Sequence, residues 1–175
     1  LATHFFVCFS GLKDSMQFMS GKFITLEGPE GSGKSTQAKL MIERLAEHGI
    51  TAIYTREPGG TKLGEAIREI LQHNAAGEAP CERAELLLFE ASRNQLVEHL
   101  IRPSLEQGTW VICDRFIDST TAYQGYGRGL PIQDVQAINQ FSINQVEPDL
   151  TLLLDVAIET GFARIQQRFI DQHEK

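Results

Sequence analysis

One motif constrains the fold of this chain more than any other, because it must stand between a strand and a helix to work. Residues 28–35 read GPEGSGKS and fit the pattern G-x-x-x-x-G-K-[ST]. The apolar run 23–26 before it predicts a strand, and residues 35–47 after it have the apolar spacing of a helix. Glycines in such a loop let several N–H groups face one concavity, and the helix N-terminus adds positive potential. The motif therefore predicts a nucleoside triphosphate site.

The loop and the residue after it form the predicted ATP-binding set. Lys34 is expected to reach the β- and γ-phosphates, and the Ser35 hydroxyl is expected to ligate Mg²⁺. A glycine-rich turn without a ligand is the alternative, which the strand and helix on either side disfavour. The set comprises Gly28, Pro29, Glu30, Gly31, Ser32, Gly33, Lys34, Ser35 and Thr36.

Strand and helix patterns alternate along the rest of the chain. A loop is expected at 74–80, and Pro103 is expected to end or kink the third helix. The alternation predicts an α/β fold built on a parallel sheet with right-handed crossovers. The predicted strands are 23–26, 51–55, 109–113 and 150–155, and the predicted helices are 35–47, 63–73, 82–101, 132–145 and 158 onward.

Composition excludes several classes of function. The 175 residues include 16 Lys and Arg against 23 Asp and Glu, a net charge of −7, which argues against a nucleic acid as partner. No apolar run approaches the ~20 residues of a membrane span. Cys8, Cys81 and Cys113 lack the spacing of metal ligands, so we expect free thiols in a reducing, cytoplasmic compartment.

Charged residues follow two of the predicted strands. Arg56 and Glu57 follow the second strand, and Asp114 and Arg115 follow the third. Ligands of open parallel sheets bind beyond the carboxyl ends of the strands, so these side chains are expected to share a crevice. Asp114 is placed to organise Mg²⁺, and the two arginines are placed to hold a second phosphate. Surface ion pairing is the alternative, whereas two phosphate sites together favour a phosphotransferase over a hydrolase.

A possible base pocket lies on the long third helix. Phe89 and Arg93 are four residues apart and share a helical face. Phe89 is able to stack on a base while the Arg93 guanidinium donates to it. Core packing of Phe89 is an equally good explanation of the spacing.

Five stretches together resemble bacterial thymidylate kinases, and the resemblance runs from about residue 23 to 168. It implies a P-loop NTPase-type parallel sheet flanked by helices, in the three-layer α/β/α arrangement of nucleoside monophosphate kinases. It also implies ATP-dependent phosphorylation of dTMP to dTDP, on the path to dTTP, by Mg²⁺-assisted in-line transfer. The stretches are EGPEGSGKST (27–36), TREPGG (55–60), LFEASR (88–93), DRF (114–116) and STTAYQG (119–125).

The resemblance implies roles for the residues around the acceptor phosphate. Arg56 and Arg115 are expected to grip the phosphate of dTMP. Glu57 and Asp114 are expected to organise that phosphate and Mg²⁺.

The resemblance also implies roles around the nucleoside. Phe89 is expected to stack on thymine and Arg93 to hydrogen-bond it. Tyr123 is expected to pack against the deoxyribose and disfavour a 2′-hydroxyl, and Gln124 to line the base pocket.

The sequence departs from the family in its lid. Residues 29–32 contain no arginine, which resembles the class that carries its catalytic arginine in the lid. Arg164 and Arg168 begin such a segment, but Gln172 stands where a further arginine is expected, and the sequence ends at residue 175. We therefore expect a chain truncated within the lid. The predicted catalytic residues are Lys34, Asp114, Arg115, Arg164 and Arg168, with solvation of a helical face as the alternative for the last two.

The predicted organisation is an N-terminal extension over 1–21, non-native or disordered, and a kinase domain over 22–175. A partner-binding arm is the alternative for the extension. The resemblance implies a homodimer formed through helices beside the sheet. The candidate interface residues are Ala84, Leu87, Leu88 and Ala91, although core burial explains the same apolar stripe equally well. Truncation predicts an open sheet edge and low stability. A kinase for another nucleotide and a nucleotide-binding module without activity are the rival functions.

Overall fold

The computed structural model describes residues 21–73 and 75–173, without the side chains of 168, 169 and 171–173. Apart from Gly21, the predicted N-terminal extension lies outside the described residues. Gly21 belongs to the packed fold, because its N–H donates to the Leu105 carbonyl at 2.8 Å. A Cβ added to Gly21 would lie 2.0 Å from the Thr109 carbonyl oxygen, so the position accepts only glycine.

Four parallel strands form one sheet in the order β2-β3-β1-β4. In the centre, Leu26 is in register with Asp114 on one side and Leu152 on the other. This arrangement confirms the predicted α/β fold with a parallel sheet. The strands are β1 (Phe23–Glu27), β2 (Ala52–Arg56), β3 (Trp110–Asp114) and β4 (Leu150–Leu153).

Helices pack on both faces of the sheet. The described residues form α1 (Lys34–Glu47), α2 (Lys62–His73), α3 (Glu82–Leu96), α4 (Arg102–Glu106), α5 (Ile117–Thr120), α6 (Ile132–Ile143) and α7 (Ile158–His173). Two π-helical segments, Val97–Ile101 and Thr121–Gly127, join α3 to α4 and follow α5. In the described part of the chain, no helix combines the length and apolar character that a membrane crossing requires.

Of the two effects expected of Pro103, an end to the long helix near Ile101 is wrong, whereas the regular α-helix is interrupted before the proline. The helical path continues through the π-helical segment 97–101 into α4 and ends at Glu106. The wider turn shifts the hydrogen-bond register before Pro103, which then falls in the first turn of α4. A proline costs little there, because the first N–H groups of a helix have no intrahelical acceptor.

Each face of the sheet carries its own apolar core. On the face of α3 and α6, Phe23 and Phe116 meet edge to face, with ring centroids 4.9 Å apart. On the face of α1, Leu26 packs with Ala38, Leu45 and Ile112. Because successive side chains of a strand point to opposite faces, β1 contributes to both cores and is buried along its whole length. The apolar character of β1 and β3 follows from this double burial.

The outer edge of the sheet is open at β4 in the described part of the chain. β4 pairs only with β1 there, and Leu150 and Leu153 are 45% and 71% exposed. Apolar side chains on an unpaired edge favour association with other chains. The low solubility and stability expected from the sequence stay predictions.

Leucines on two helices provide a matched test of the core. Leu96 on α3 is fully buried, whereas Leu40 on α1 is 51% exposed. We expect Leu96→Ala to lower the free energy of unfolding by about 2–5 kcal/mol, through lost burial and the cavity left behind. Leu40→Ala should change it by less than about 1 kcal/mol. Urea unfolding measures both, and equal losses would contradict the assignment of this core.

Candidate active site

A cleft of about 1150 Å³ opens beyond the carboxyl ends of β1, β2 and β3. It brings together most of the predicted site residues, which come from nine separate elements and loops. Of the predicted set, Gly28, Pro29 and Ser32 lie outside its lining, and the Arg168 side chain lies outside the described part. The predicted residues that line the cleft are Glu30, Gly31, Gly33, Lys34, Ser35, Thr36, Arg56, Glu57, Phe89, Arg93, Asp114, Arg115, Tyr123, Gln124 and Arg164.

The phosphate loop takes its shape from glycines with left-handed backbone angles. Gly28 has φ 138° and Gly31 has φ 78°. A Cβ on Gly31 would lie 2.4 Å from the carbonyl oxygen of Gly161, because the first turn of α7 packs directly on the loop. Arg164 reinforces this contact, since its Nη1 donates to the Gly31 carbonyl at 3.2 Å. The predicted lid residue Arg164 therefore lies against the phosphate loop.

Lys34 is the buried cation of the loop. Its Nζ donates to the carbonyls of Gly28 and Pro29 at 2.9 and 3.0 Å and lies 3.8 Å from Asp114 Oδ1. Burial lowers the pKa of Lys34, and the nearby Arg115 lowers it further. A triphosphate would exchange its oxygens for these carbonyls and relieve the repulsion between the two cations.

The loop also contains a polar atom without a partner. Ser32 Oγ is buried and has no hydrogen bond in the described part of the chain. Buried hydroxyls are almost always bonded, so an unpartnered one marks a place where water or a ligand completes the structure. This observation fits a loop shaped for phosphate.

Asp114 and Ser35 provide the oxygen ligands that Mg²⁺ prefers. Asp114 ends β3, Ser35 lies in the first turn of α1, and both line the cleft. Burial raises the pKa of Asp114, while Lys34 and Arg115 oppose that shift. No group of three or more His, Cys, Asp or Glu is placed to hold a metal within residues 21–73 and 75–173. The donor set fits a magnesium ion held by one carboxylate, a hydroxyl and phosphate oxygens.

Tyr54 on β2 is a neighbour of Asp114 that the sequence analysis missed. Its hydroxyl donates to Asp114 Oδ2 at 3.4 Å, a long contact. Burial, with the negative charge of Asp114 second, raises the pKa of Tyr54 to about 12.

Arg115 stands at a strained turn directly after β3. Its φ of 73° is left-handed, which is uncommon for a residue with a side chain. Its Nη1 lies 3.2 Å from Ser119 Oγ and 3.4 Å from the Tyr123 hydroxyl, and its guanidinium lies 5.3 Å from the centre of the Tyr123 ring. The predicted phosphate residue and the predicted sugar residue are therefore in direct contact.

Arg56 is held by an acidic residue that was not predicted. Its Nη2 donates to both carboxylate oxygens of Glu65 at 3.2 and 3.0 Å, and both side chains are about 40% exposed. The Gly60 N–H donates to the same carboxylate at 2.8 Å. Arg68 also holds the loop after β2, because its Nη1 donates to the Pro58 carbonyl at 2.9 Å. An acceptor phosphate bound at Arg56 would have to compete with Glu65 for the guanidinium.

The structure gives Arg93 partners other than the predicted base. All five of its N–H donors are bonded within the protein, to the carboxylates of Glu57 and Glu90 and to Asn139 and Thr120. Arg93 is almost fully buried, and its carboxylate contacts at 2.6 Å are the shortest of its hydrogen bonds. It borders the cleft, but its contact with thymine stays a prediction that requires one of these bonds to be exchanged.

Glu57 also lines the cleft, but both of its carboxylate oxygens accept hydrogen bonds from Arg93. Burial raises the pKa of Glu57 to about 7, outweighing the attraction of Arg93, and Glu90 adds repulsion. The carboxylates of Glu57 and Glu90 both pair with the buried guanidinium of Arg93. The predicted role of Glu57 at Mg²⁺ stays a prediction.

The base side of the cleft is formed by α3 and the π-helical segment 121–127. Phe89 is partly exposed in the cleft, so core burial does not fully account for it. Gln124 is fixed by donating from Nε2 to Glu85 Oε1 at 2.8 Å, and Arg128 holds the other oxygen of Glu85 at 2.9 Å. The sequence analysis missed Glu85, although it precedes Phe89 by one helical turn. Arg128 carried no comparable sequence signal.

The raised pKa of Glu57 predicts a pH-dependent stability. Its ordinary pKa is 4.5, so between about pH 4.5 and 7 the folded chain binds a proton that the unfolded chain has released. The free energy of unfolding should therefore fall with rising pH through this window, by about 3 kcal/mol from this group. We expect Glu57→Gln to flatten the slope, and Glu43→Gln, exposed on α1, to keep it. Urea unfolding at pH 5 and pH 8 measures the slopes, and equal slopes in all three proteins would contradict the assignment.

Comparisons with known proteins agree with this geometry. Residues 26–175 match the family model described as thymidylate kinase. The thymidylate kinase of Exiguobacterium sp. is 49% identical over 150 residues, which cover 86% of this chain and 70% of the relative. That of Ectopseudomonas mendocina is 50% identical over 150 residues, which cover 86% and 71%. The crystal structure of thymidylate kinase from Ehrlichia chaffeensis has a TM-score of 0.70 at 42% identity, covering 89% of this chain and 87% of that chain. The chain therefore belongs to the thymidylate kinase family.

Proposed function

We propose that this protein phosphorylates dTMP to dTDP with ATP. The observation that carries the proposal is one cleft lined by two sets of candidate phosphate-binding residues. One set is the glycine loop with Lys34, and the other is the arginine pair Arg56 and Arg115. A hydrolase needs the first set only, whereas transfer between two phosphates needs both.

The proposed mechanism relies on alignment and charge neutralisation. The acceptor oxygen is already a nucleophile, so the protein need not create one, and positioning carries much of the rate. Lys34 neutralises the triphosphate from the loop, and Arg115 holds the acceptor phosphate beside it. Mg²⁺, held by Asp114 and Ser35, would neutralise the charge that develops on the transferred group. Arg164, which already contacts the loop at Gly31, is the described arginine best placed to assist from α7.

We propose that the residues lining the base side of the cleft, formed by α3 and the segment 121–127, discriminate among nucleotides. Phe89 provides an apolar face for the base. Tyr123 is tied to Arg115 through its hydroxyl, so the residue that meets the sugar also meets the phosphate-binding arginine. A nucleotide with a 2′-hydroxyl would displace Tyr123 and disturb Arg115, which links sugar recognition to phosphate recognition.

The direct test is ADP formation from ATP and Mg²⁺ with dTMP, run beside dUMP, UMP, dCMP and dGMP. We expect strong preference for dTMP. Arg56→Ala should raise the KM for dTMP by about 10-fold to 100-fold, the loss of one or two charge-assisted hydrogen bonds. Arg44→Ala, in which an exposed arginine of α1 is removed, should leave it within 2-fold.

The rival functions give different results in this assay. Preference for another monophosphate would identify a kinase for that nucleotide. Saturable dTMP binding by calorimetry, without turnover, would identify a binding module and contradict the proposed reaction.

We further propose a homodimer built on α3 and α6. Among the stripe predicted on α3, Leu87 is 58% exposed and Ala91 is also exposed, so core burial does not explain these two. Phe141 on the neighbouring helix α6 is 83% exposed. Exposed apolar residues on adjoining helices favour an interface between chains.

Sedimentation velocity tests the dimer. We expect wild-type chain to sediment as a dimer and Phe141→Arg to sediment as a monomer, because a buried unpaired charge would oppose association. Phe162→Arg on α7, where Phe162 is also exposed at 62%, should remain dimeric. A monomeric wild type, or dissociation by both variants alike, would contradict the proposed interface.

A cytoplasmic location is proposed from the cysteines. Cys81 and Cys113 are free thiols in the described part of the chain, and burial raises the pKa of Cys113 well above its ordinary value. Unpaired cysteines favour a reducing compartment.

A further inference from the structure

Glu27 is a buried carboxylate that has no role of its own in the proposed transfer reaction. It is the last residue of β1 and directly precedes the phosphate loop, yet it does not line the cleft. Only 5% of its surface is exposed. Burial raises its pKa, so the chain tolerates an acidic group here at a cost in stability.

The carboxylate holds the turn that follows β3. Oε1 accepts the Phe116 N–H at 2.8 Å and, at 3.4 Å, the Ser119 N–H. Oε2 accepts the Ser119 hydroxyl at 2.6 Å. Both ends of the turn are thus bonded to one side chain.

The same turn carries Arg115 in its strained conformation. The Arg115 N–H donates to the Leu26 carbonyl at 2.9 Å, so β1 holds both the backbone of Arg115 and the residues after it. A left-handed non-glycine residue persists only when its surroundings fix it. Glu27 helps to hold Arg115 in this conformation, because it binds Phe116 and Ser119 on the C-terminal side of Arg115.

Ser119 connects Glu27 to the Arg115 guanidinium. Its hydroxyl proton is committed to Glu27 Oε2, which leaves an oxygen lone pair to accept Arg115 Nη1 at 3.2 Å. The three groups form a chain in which each hydrogen bond fixes the direction of the next. Without an acceptor at Oε2, the Ser119 proton is free to turn toward the guanidinium and oppose it.

We propose that Glu27 is a positioning residue that aims Arg115 at the acceptor phosphate through Ser119 and the turn 115–119. This inference rests on the proposed phosphotransferase function, because that function assigns Arg115 to the acceptor. Glu27 itself touches neither substrate.

The Glu27→Gln variant separates the bond to the Phe116 N–H from the bond to the Ser119 hydroxyl. Its amide oxygen retains an acceptor for the Phe116 N–H, while its NH₂ group replaces the acceptor that Ser119 needs. Ser119→Ala removes the same connection from the other end. Glu98→Gln, on the π-helical segment 97–101 and outside the lining of the cleft, is the matched control.

Steady-state kinetics test the positioning role. We expect Glu27→Gln to raise the KM for dTMP by about 10-fold, the factor of one hydrogen bond to a charged group, and to leave the KM for ATP within about 2-fold. In an Arg115→Ala background the same change should have less than about 2-fold effect, because residues acting through one another are not additive. Glu98→Gln should leave both constants unchanged.

Two kinetic results would overturn the proposal. One is an equal rise in the KM for ATP and for dTMP, which indicates general damage to the fold. The other is a full effect of Glu27→Gln in the Arg115→Ala background, which shows that Glu27 does not act through that arginine.

Hydrogen exchange of the ligand-free chain distinguishes failure of this inference from failure of the proposed function. We expect Glu27→Ala to lose at least 10-fold of the protection at the amides of Phe116 and Ser119, and Glu98→Gln to keep it. Unchanged protection in Glu27→Ala would overturn the inference whether or not dTMP is turned over. Lost protection in a chain whose wild type never turns over dTMP would contradict the proposed function alone.

Discussion

The parallel pairing of β1 with β3 is the interaction on which the rest of the site depends. It places Leu26 beside Asp114. The phosphate loop and the turn that carries Arg115 therefore follow neighbouring strands at the same, carboxyl-terminal end of the sheet. The main chain continues this pairing beyond the strands, where Arg115 donates to Leu26 and Glu27 binds the turn. Parallel strands need buried faces on both sides, and the two apolar cores supply them. In the proposed reaction, backbone geometry therefore brings the donor and acceptor phosphates together before any side chain contributes.

Buried charge is the second constraint on this site. Arg93 balances two carboxylates, Glu57 and Glu90, in a region with almost no solvent. Such clusters are weak contributors to stability, but removing one partner leaves an uncompensated charge. The cluster joins α3 to the loop after β2 and to Asn139 of α6, so it fixes the floor of the cleft. The arginines that line the cleft, Arg56 and Arg115, are more exposed, as the proposed exchange of their partners for phosphate requires.

Much of this arrangement was predictable from the sequence, and the exceptions have physical causes. The strands lie within one or two residues of their predicted bounds, because apolar runs flanked by glycines and charges are strong local signals. Pro103 misled the helix prediction, because a change of hydrogen-bond register before it is not visible in the residue pattern. The pairing of Arg56 with Glu65 and the enclosure of Arg93 depend on contacts between separate elements, which spacing alone does not report. Glu27 belongs to the phosphate-loop stretch quoted from the sequence. Its role could not be predicted there, because its hydrogen-bond partners are about 90 residues away in sequence.

In the proposed reaction, one cleft holds the triphosphate of ATP in line with the phosphate of dTMP. Calorimetry with adenosine and thymidine joined 5′ to 5′ by five phosphates tests whether the two nucleotides share that cleft. We predict that one molecule binds per chain, displaces both ATP and dTMP, and binds at least ~10²-fold more tightly than either, because joining the two ligands makes the second binding event intramolecular. An affinity no better than that of ATP, with dTMP still able to bind, would contradict the single shared cleft.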